Sequence, residues 1–318
     1  MTSAPAAVPA SGWQNADCAL CGAGAPFETL LELPHADAPH GCAWLVRCRS
    51  CGLRRLTPRP GPDVLPGYYG GGYNAFIGRT RGALKQRGWD LLRDMYAVAR
   101  GPMRIAAPLS RWVFDISVRV DRTRPPRVLE VGSGYGDLLV YLRSRGCHVQ
   151  GVDLDPRAAE AGAALGVSIH AGTVETLAAD SESFDIGVLC HSLEHVPDPA
   201  KTLRTIHALL RPGAELHVAV PNGNATGLAV QGRHWMHLSF PLHFWFFDRA
   251  TLVELLERCG FKPSLAYSTS RWHQLGAWLG PLRRGDIVRP TREVCAIAFG
   301  SLSPSSGDVL RVTAIRVP

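Results

Sequence analysis

From Arg127 onward, short apolar runs alternate with helix-length segments, a rhythm that calls for an α/β domain on a parallel sheet. Arg127–Val131 (RVLEV) reads as a buried strand, and 137–145 as a helix that Gly146 ends. The segment 147–152 reads as a second strand. Asp155-Pro156 places an N-cap before a first-turn proline, and Gly166 closes that helix. Strands follow at 167–170, 184–190 and 215–220. A helix near 199–210 stops at Arg211-Pro212-Gly213, and Asp248 caps another that runs to Gly260. Strand-like segments near 261–268 and 308–317 close the pattern.

The loop after the first strand carries chemistry. Val128-Leu-Glu-Val-Gly-Ser-Gly-Tyr-Gly-Asp reads ExGxGxG between a strand and a helix, the context in which glycines let backbone approach a ligand. Asp153 ends the second strand, 19 residues after Gly134, where a carboxylate binds the two hydroxyls of a ribose. A nucleoside-containing cofactor follows, and NAD and S-adenosylmethionine both fit these features. Glu130 helps to separate them. A buried carboxylate beside the loop repels a pyrophosphate, which binds through backbone N–H groups at a helix N-terminus. The ammonium and sulfonium of S-adenosylmethionine tolerate it. Gly132-Ser-Gly134-Tyr-Gly136 also lacks the sixth-position glycine of GxGxxG.

Upstream stand two matched turns, Cys18-Ala-Leu-Cys21-Gly and Cys48-Arg-Ser-Cys51-Gly, with 26 residues between them. Each presents two thiolates to one ion, and together they complete a tetrahedral Cys₄ zinc site with no open coordination position. Such a zinc is structural. A redox CxxC is the competing reading, without the βαβ context it requires. Cys42, His35 and His40 lie between the turns as substitute ligands. Cys147, Cys190, Cys259 and Cys295 are scattered, as core cysteines are. The opening MTSAPAAVPASGW has neither a basic n-region nor an apolar h-region, and no apolar run approaches about 18 residues. A reduced, cytoplasmic protein is therefore expected.

Of 318 residues, 46% are hydrophobic and 19% charged, enough apolar material for a sizeable core and against a wholly disordered chain. The net charge of +7 is localised: residues 76–127 hold twelve basic and four acidic side chains. Such a stretch attracts anionic partners or forms a solvated helical face. Four zones result: a flexible tail (1–16), a zinc ribbon (17–57), a basic helical lid or linker (58–126) and a cofactor domain (127–318) with an insertion near 269–306. Pro125-Pro126 marks the last boundary.

VLEVGSGYG, GVDLDP, FDIGVLCHSLEHVPDP and LRPGAELHVAVPN, in this order, resemble the class I S-adenosylmethionine-dependent methyltransferases. The resemblance covers Arg127 to about Gly260. It implies a Rossmann-like sheet of seven strands, the last antiparallel, flanked by helices. By the same resemblance Glu130, Gly132, Ser133, Gly134, Tyr135 and Gly136 border the methionine part of the cofactor. Asp153 and Leu154 take the ribose side, Thr173-Val174 lies against adenine, and Cys190 with His191 lines the methionyl end. Thr173 stands where many relatives have Asp. The CxxC ribbon, LTPRPGPDVLPGYYGGGYN and FPLHFWFFDRATLVELLERCGF resemble segments of enzymes that methylate sugars, polysaccharides and secondary metabolites.

Transfer to a hydroxyl needs the acceptor about 3 Å from the methyl carbon, and a weak nucleophile benefits from a base. His191 and His195, in HSLEH after the fourth strand, and His243, in FPLHFWFF, are the candidates; His237 lies near the same edge. Tyr68, Tyr69 and Tyr73 belong to a segment able to cover the pocket. The plain alternatives are that His195 pins a turn and His243 packs among aromatics. A divalent metal near His191, Glu194 and His195 is a further alternative, since some quinone-biosynthesis relatives hold an ion around this turn. The expected acceptor is a small molecule, a sugar or a lipid-linked glycan, with membrane contact through 104–120. Competing functions are an RNA base methyltransferase using the ribbon and the basic stretch, and a zinc-ribbon interaction protein with a vestigial core. Against RNA, CHSL stands where a base-holding tetrad would follow the fourth strand, and no aromatic ladder accompanies the basic stretch.

Overall fold

The computed structural model describes residues 12–24, 26–69, 116, 118, 120, 123–270 and 305–318. Most of the basic stretch and of the 269–306 segment therefore lies outside the described residues, as do Tyr73 and the proposed membrane segment almost entirely. In the N-terminal part, β1 (Trp13–Gln14) is followed by β2 (Phe27–Pro34), β3 (Cys42–Cys48), β4 (Arg54–Thr57) and β5 (Arg59–Pro60), then by a single helical turn, Leu65–Tyr68. β2, β3 and β4 form an antiparallel meander, and β1 pairs antiparallel with β5.

The remaining strands are β6 (Arg127–Val131), β7 (His148–Asp153), β8 (Ser168–Ala171), β9 (Phe184–Cys190), β10 (Leu210–Pro221), β11 (Trp245–Phe246), β12 (Phe261–Thr269) and β13 (Val309–Arg316). Seven of them form one sheet in the order β12-β13-β10-β9-β6-β7-β8. β6 to β10 run parallel, and β13 lies antiparallel between β10 and β12. This is the seven-stranded Rossmann-like methyltransferase sheet that the sequence predicts. The chain leaves β6 toward β7 on one side and reaches β9 on the other, which opens a crevice at the strands' carboxyl ends.

Helix starts follow their caps. The Asp155 side chain accepts from Arg157 N–H, Asp198 from Lys201 N–H and Asp248 from Thr251 N–H. The helix expected to stop at Arg211 ends at Leu209, because Leu210 already pairs with Phe184. A register irregularity between Leu210 and Glu215 then absorbs Pro212-Gly213, with Gly213 at φ 79°. Beneath the sheet, Leu203 and Ile206 of one helix and Leu252, Leu255 and Leu256 of another pack on Leu189, Leu216 and Val218.

The cysteine-bearing part is not packed separately. β11 joins the outer edge of β4, so that Trp245 pairs with Arg55 and Phe246 with Arg54. Cys18, Leu20, Cys48 and Leu53 share one apolar cluster with Trp245, Phe247, Leu252 and Phe261. Arg258 donates to the Leu20 carbonyl, and Arg54 pairs with Asp248 at 3.3 Å.

Candidate functional site

The glycine loop leaves β6 in left-handed backbone: Gly132, Gly134 and Gly136 have φ of 76°, 51° and 82°. At Gly132 a Cβ would stand 2.4 Å from Ser192 Cβ, so this glycine lets the loop touch the turn after β9. At Gly134 a Cβ would meet nothing within 4 Å, which leaves its backbone open to a ligand. Gly134 N–H donates to Asp153 Oδ2 at 2.8 Å, and Asp155 N–H donates to Oδ1 at 2.9 Å. Burial raises the Asp153 carboxyl, while those two bonds work against the rise. Each oxygen keeps a second lone pair for a ribose hydroxyl. Glu130 and Ser133 are buried beside the loop, Tyr135 is half-buried, and Leu154 is 58% exposed just after Asp153. Thr173 is exposed at the next loop, whereas Val174 turns into the core. These residues fit a nucleoside cofactor: a pinned carboxylate, open glycine backbone and an exposed apolar side chain at one sheet edge.

Cys190 ends β9, and the chain turns at once. His191 takes φ 54°, then Leu193–His195 forms one tight helical turn. The turn aims Glu194 inward, where its side chain is wholly buried. Its Oε1 lies 3.4 Å from His191 Nδ1 and 4.0 Å from His243 Nε2. Burial works to raise this carboxyl, but the His191 contact and the charges of the neighbouring imidazoles outweigh it and bring it down to about 2. The His195 and His243 rings meet edge to face at 4.5 Å, and His191 stacks parallel to His237 at 6.1 Å. Tyr69 Oη lies 3.3 Å from His195 Nδ1.

Hydrogen bonds assign the tautomers. His195 Nδ1 lies 3.1 Å from the Leu242 carbonyl and His243 Nδ1 2.8 Å from the His237 carbonyl, so both nitrogens donate. The other ring nitrogen of His243, Nε2, faces Glu194 Oε1 at 4.0 Å. Glu194, His195 and His243 each present one ligand atom, all within 4.8 Å of one another. Burial pushes His243 down to about 3, which keeps it neutral at ordinary pH, and lowers His195 in the same direction.

The sequence candidates thus converge, but unequally. His243 is 5% exposed and tied at Nδ1, whereas the His191 side chain is 29% exposed, beside Cys190 at the sheet edge. Glu194, which the sequence suggested only as a metal ligand, is the carboxylate around which the histidines gather. Its sole sequence signal is its position three residues after His191.

In the N-terminal part, Cys18, Cys21, Cys48 and Cys51 bring their sulfurs within 4.8 Å of one another. Cys18 and Cys51 sulfurs are 3.4 Å apart, and those of Cys21 and Cys48 3.6 Å. Burial works to raise the Cys48 thiol, but backbone N–H groups of Cys51 and Ser50 and the Cys21 thiol bring it down to about 6. Four clustered sulfurs fit tetrahedral zinc. Cys42 is buried and its thiol faces the Ala43 carbonyl; neither it, His35 nor His40 belongs to the group.

The sequence profile of a methyltransferase domain matches residues 103–264. The chain is 35% identical over 130 residues to a ubiquinone biosynthesis O-methyltransferase of Hahella chejuensis, covering 37% of this chain and 55% of that relative. It is 33% identical over 169 residues to the protein of the same name from Xanthomonas oryzae pv. oryzae, covering 50% of this chain and 67% of that one. The matches thus span between about half and two thirds of these relatives' lengths. A solved S-adenosylmethionine-dependent methyltransferase from Mesorhizobium loti is similar in structure with a TM-score of 0.46 and 19% identity, covering 62% of this chain and 94% of that chain.

Proposed function

Because the chain belongs to the family that carries the methyltransferase domain, we propose that it transfers a methyl group from S-adenosylmethionine to a hydroxyl of a small-molecule acceptor, with His191 as general base. The observation that carries this reading is the half-exposed His191 imidazole, 3.4 Å from the buried Glu194 carboxylate at the carboxyl edge of β9. Bound at the glycine loop, S-adenosylmethionine would supply an electrophilic methyl carbon, with S-adenosylhomocysteine as the leaving group. Asp153 and the open Gly134 backbone hold the nucleoside, and Gly132 brings the loop against Ser192 beside His191. His191 Nδ1 faces Glu194, so Nε2 takes the hydroxyl proton, and the resulting imidazolium pairs with the carboxylate. Glu194 orients the ring and stabilises its charge.

The names of the relatives support oxygen as the atom methylated. They do not support a sugar, which rests on the upstream motifs alone. The test is transfer from methyl-labelled S-adenosylmethionine to 3,4-dihydroxybenzoate and to methyl glucoside. Label on a hydroxyl, falling about 100-fold or more in His191→Ala, is expected. Undiminished turnover in that variant overturns the assignment of the base.

A second reading is favoured by the convergence of Glu194, His195 and His243. Two imidazoles with Nδ1 tied to carbonyls and one carboxylate suit a divalent cation, since second-shell bonds of this kind orient ligating histidines. A cation there would act as a Lewis acid on the acceptor hydroxyl. Under this reading purified protein holds two metal ions per chain, and His243→Ala removes one without disturbing the cysteine site. One ion, lost only on changing the cysteines, contradicts it.

A further inference from the structure

Arg59 is an unusual residue for its position. It follows β4 closely, at 5% exposure, and its guanidinium lies 4.8 Å from the centres of both the Phe244 and the Trp245 rings. Its Nη2 donates to the Pro197 carbonyl at 3.0 Å, while Nε and Nη1 are buried with no hydrogen-bond partner among the described residues. Burying a cation with one carbonyl acceptor, two ring faces and two nitrogens without a hydrogen bond costs free energy, so the residue is not explained by stability alone. What it touches is informative. Pro197 closes the turn that carries Glu194 and His195, and Phe244 and Trp245 follow His243 directly.

Further bonds run along the same seam. Trp245 Nε1 donates to the Val196 carbonyl at 2.8 Å. Phe244 N–H donates to the Glu194 carbonyl at 2.8 Å, and Leu56 N–H to the Phe244 carbonyl at 2.9 Å. The two segments that bring the histidine–glutamate cluster together are therefore held to each other and to the strand that leaves the cysteine turns.

We propose that Arg59 is a positioning residue that, together with Trp245, clamps the Glu194–Pro197 turn onto the His243–Trp245 segment, so that the cysteine-bearing part of the chain sets the geometry of the cluster. The proposal rests on the reading of that cluster as the reaction site. Arg59 touches neither cofactor nor acceptor and acts through the two segments it joins. The guanidinium supplies a flat face for both rings and a donor for the carbonyl at once, which a point charge on a flexible stem does less well.

The test is histidine labelling of the full chain with diethyl pyrocarbonate, read peptide by peptide by mass spectrometry, with S-adenosylhomocysteine affinity measured alongside by calorimetry. In the unaltered protein His191 labels and His243 is protected. In Arg59→Met, which keeps the stem and loses the guanidinium, labelling of His195 and His243 rises about tenfold or more while S-adenosylhomocysteine affinity stays within about twofold, as local opening predicts. Arg59→Lys restores much of the protection by returning one donor. A folded Arg59→Met protein whose His195 and His243 stay as protected as before overturns the proposal. Should Arg59→Met fail to fold, Trp245→Phe decides, since it keeps a ring under the guanidinium and cuts only the bond to Val196. Faster labelling of His195 and His243 in Trp245→Phe supports the clamp, and unchanged protection overturns it. Turnover of His191→Ala is measured separately: activity retained there removes the base assignment and leaves the labelling result standing.

Discussion

Burial, reinforced by the adjacent His195, holds His243 at about 3, against about 6.5 for an unperturbed histidine. Because the folded value lies below the unfolded one, His243 contributes stability in full above pH about 6.5 and loses it as pH falls toward 3. Glu194, brought from 4.5 to about 2, acts with the same sign in a lower window: its contribution is present above pH 4.5 and fades toward 2. The urea midpoint is therefore expected to fall steadily from pH 6.5 to pH 4, and His243→Gln should flatten that slope while lowering stability at pH 7. Equal slopes in the two proteins would contradict the burial of a neutral imidazole. His191 belongs to a different class of residue. It is half-exposed at the sheet edge, so its replacement should cost turnover and little stability.

At the level of elements, the cysteine turns and the site are joined by β4. Its backbone pairs with β11, and Leu56 N–H reaches the Phe244 carbonyl beside His243. Cys48→Ser should release a bound zinc and lower the melting temperature by about 5 °C or more. Differential scanning calorimetry with metal analysis checks both; a variant that melts with the unaltered protein would mean that the sulfurs hold no structural ion. The parallel strands were legible because each is a short apolar run with a punctuated end, and the caps Asp155 and Asp248 announce their helices. The pairing of β4 with β11 was not. Two residues, Trp245 and Phe246, carry no period of their own and lie inside a run of aromatics that reads as core. Nor could spacing reveal that Glu194 would face His243 as well as His191, because that contact depends on a loop about fifty residues downstream.

For the whole molecule, the glycine loop, Asp153 and HSLEH could be read as one site because this sheet collects the ends of β6, β7 and β9 at a single edge. No helix among the described residues is long and apolar enough to cross a membrane. A vestigial core fits poorly with what the residues retain: Asp153 is still pinned by Gly134 and Asp155, and Gly134 is still open. Everything proposed for the acceptor side depends on that cofactor edge being used as argued. Titration calorimetry with S-adenosylhomocysteine tests it most directly. One equivalent should bind per chain, Asp153→Ala should weaken binding by about 100-fold or more through loss of charge-assisted bonds to two ribose hydroxyls, and NAD should give no heat. Saturable NAD binding with no response to S-adenosylhomocysteine would contradict the account.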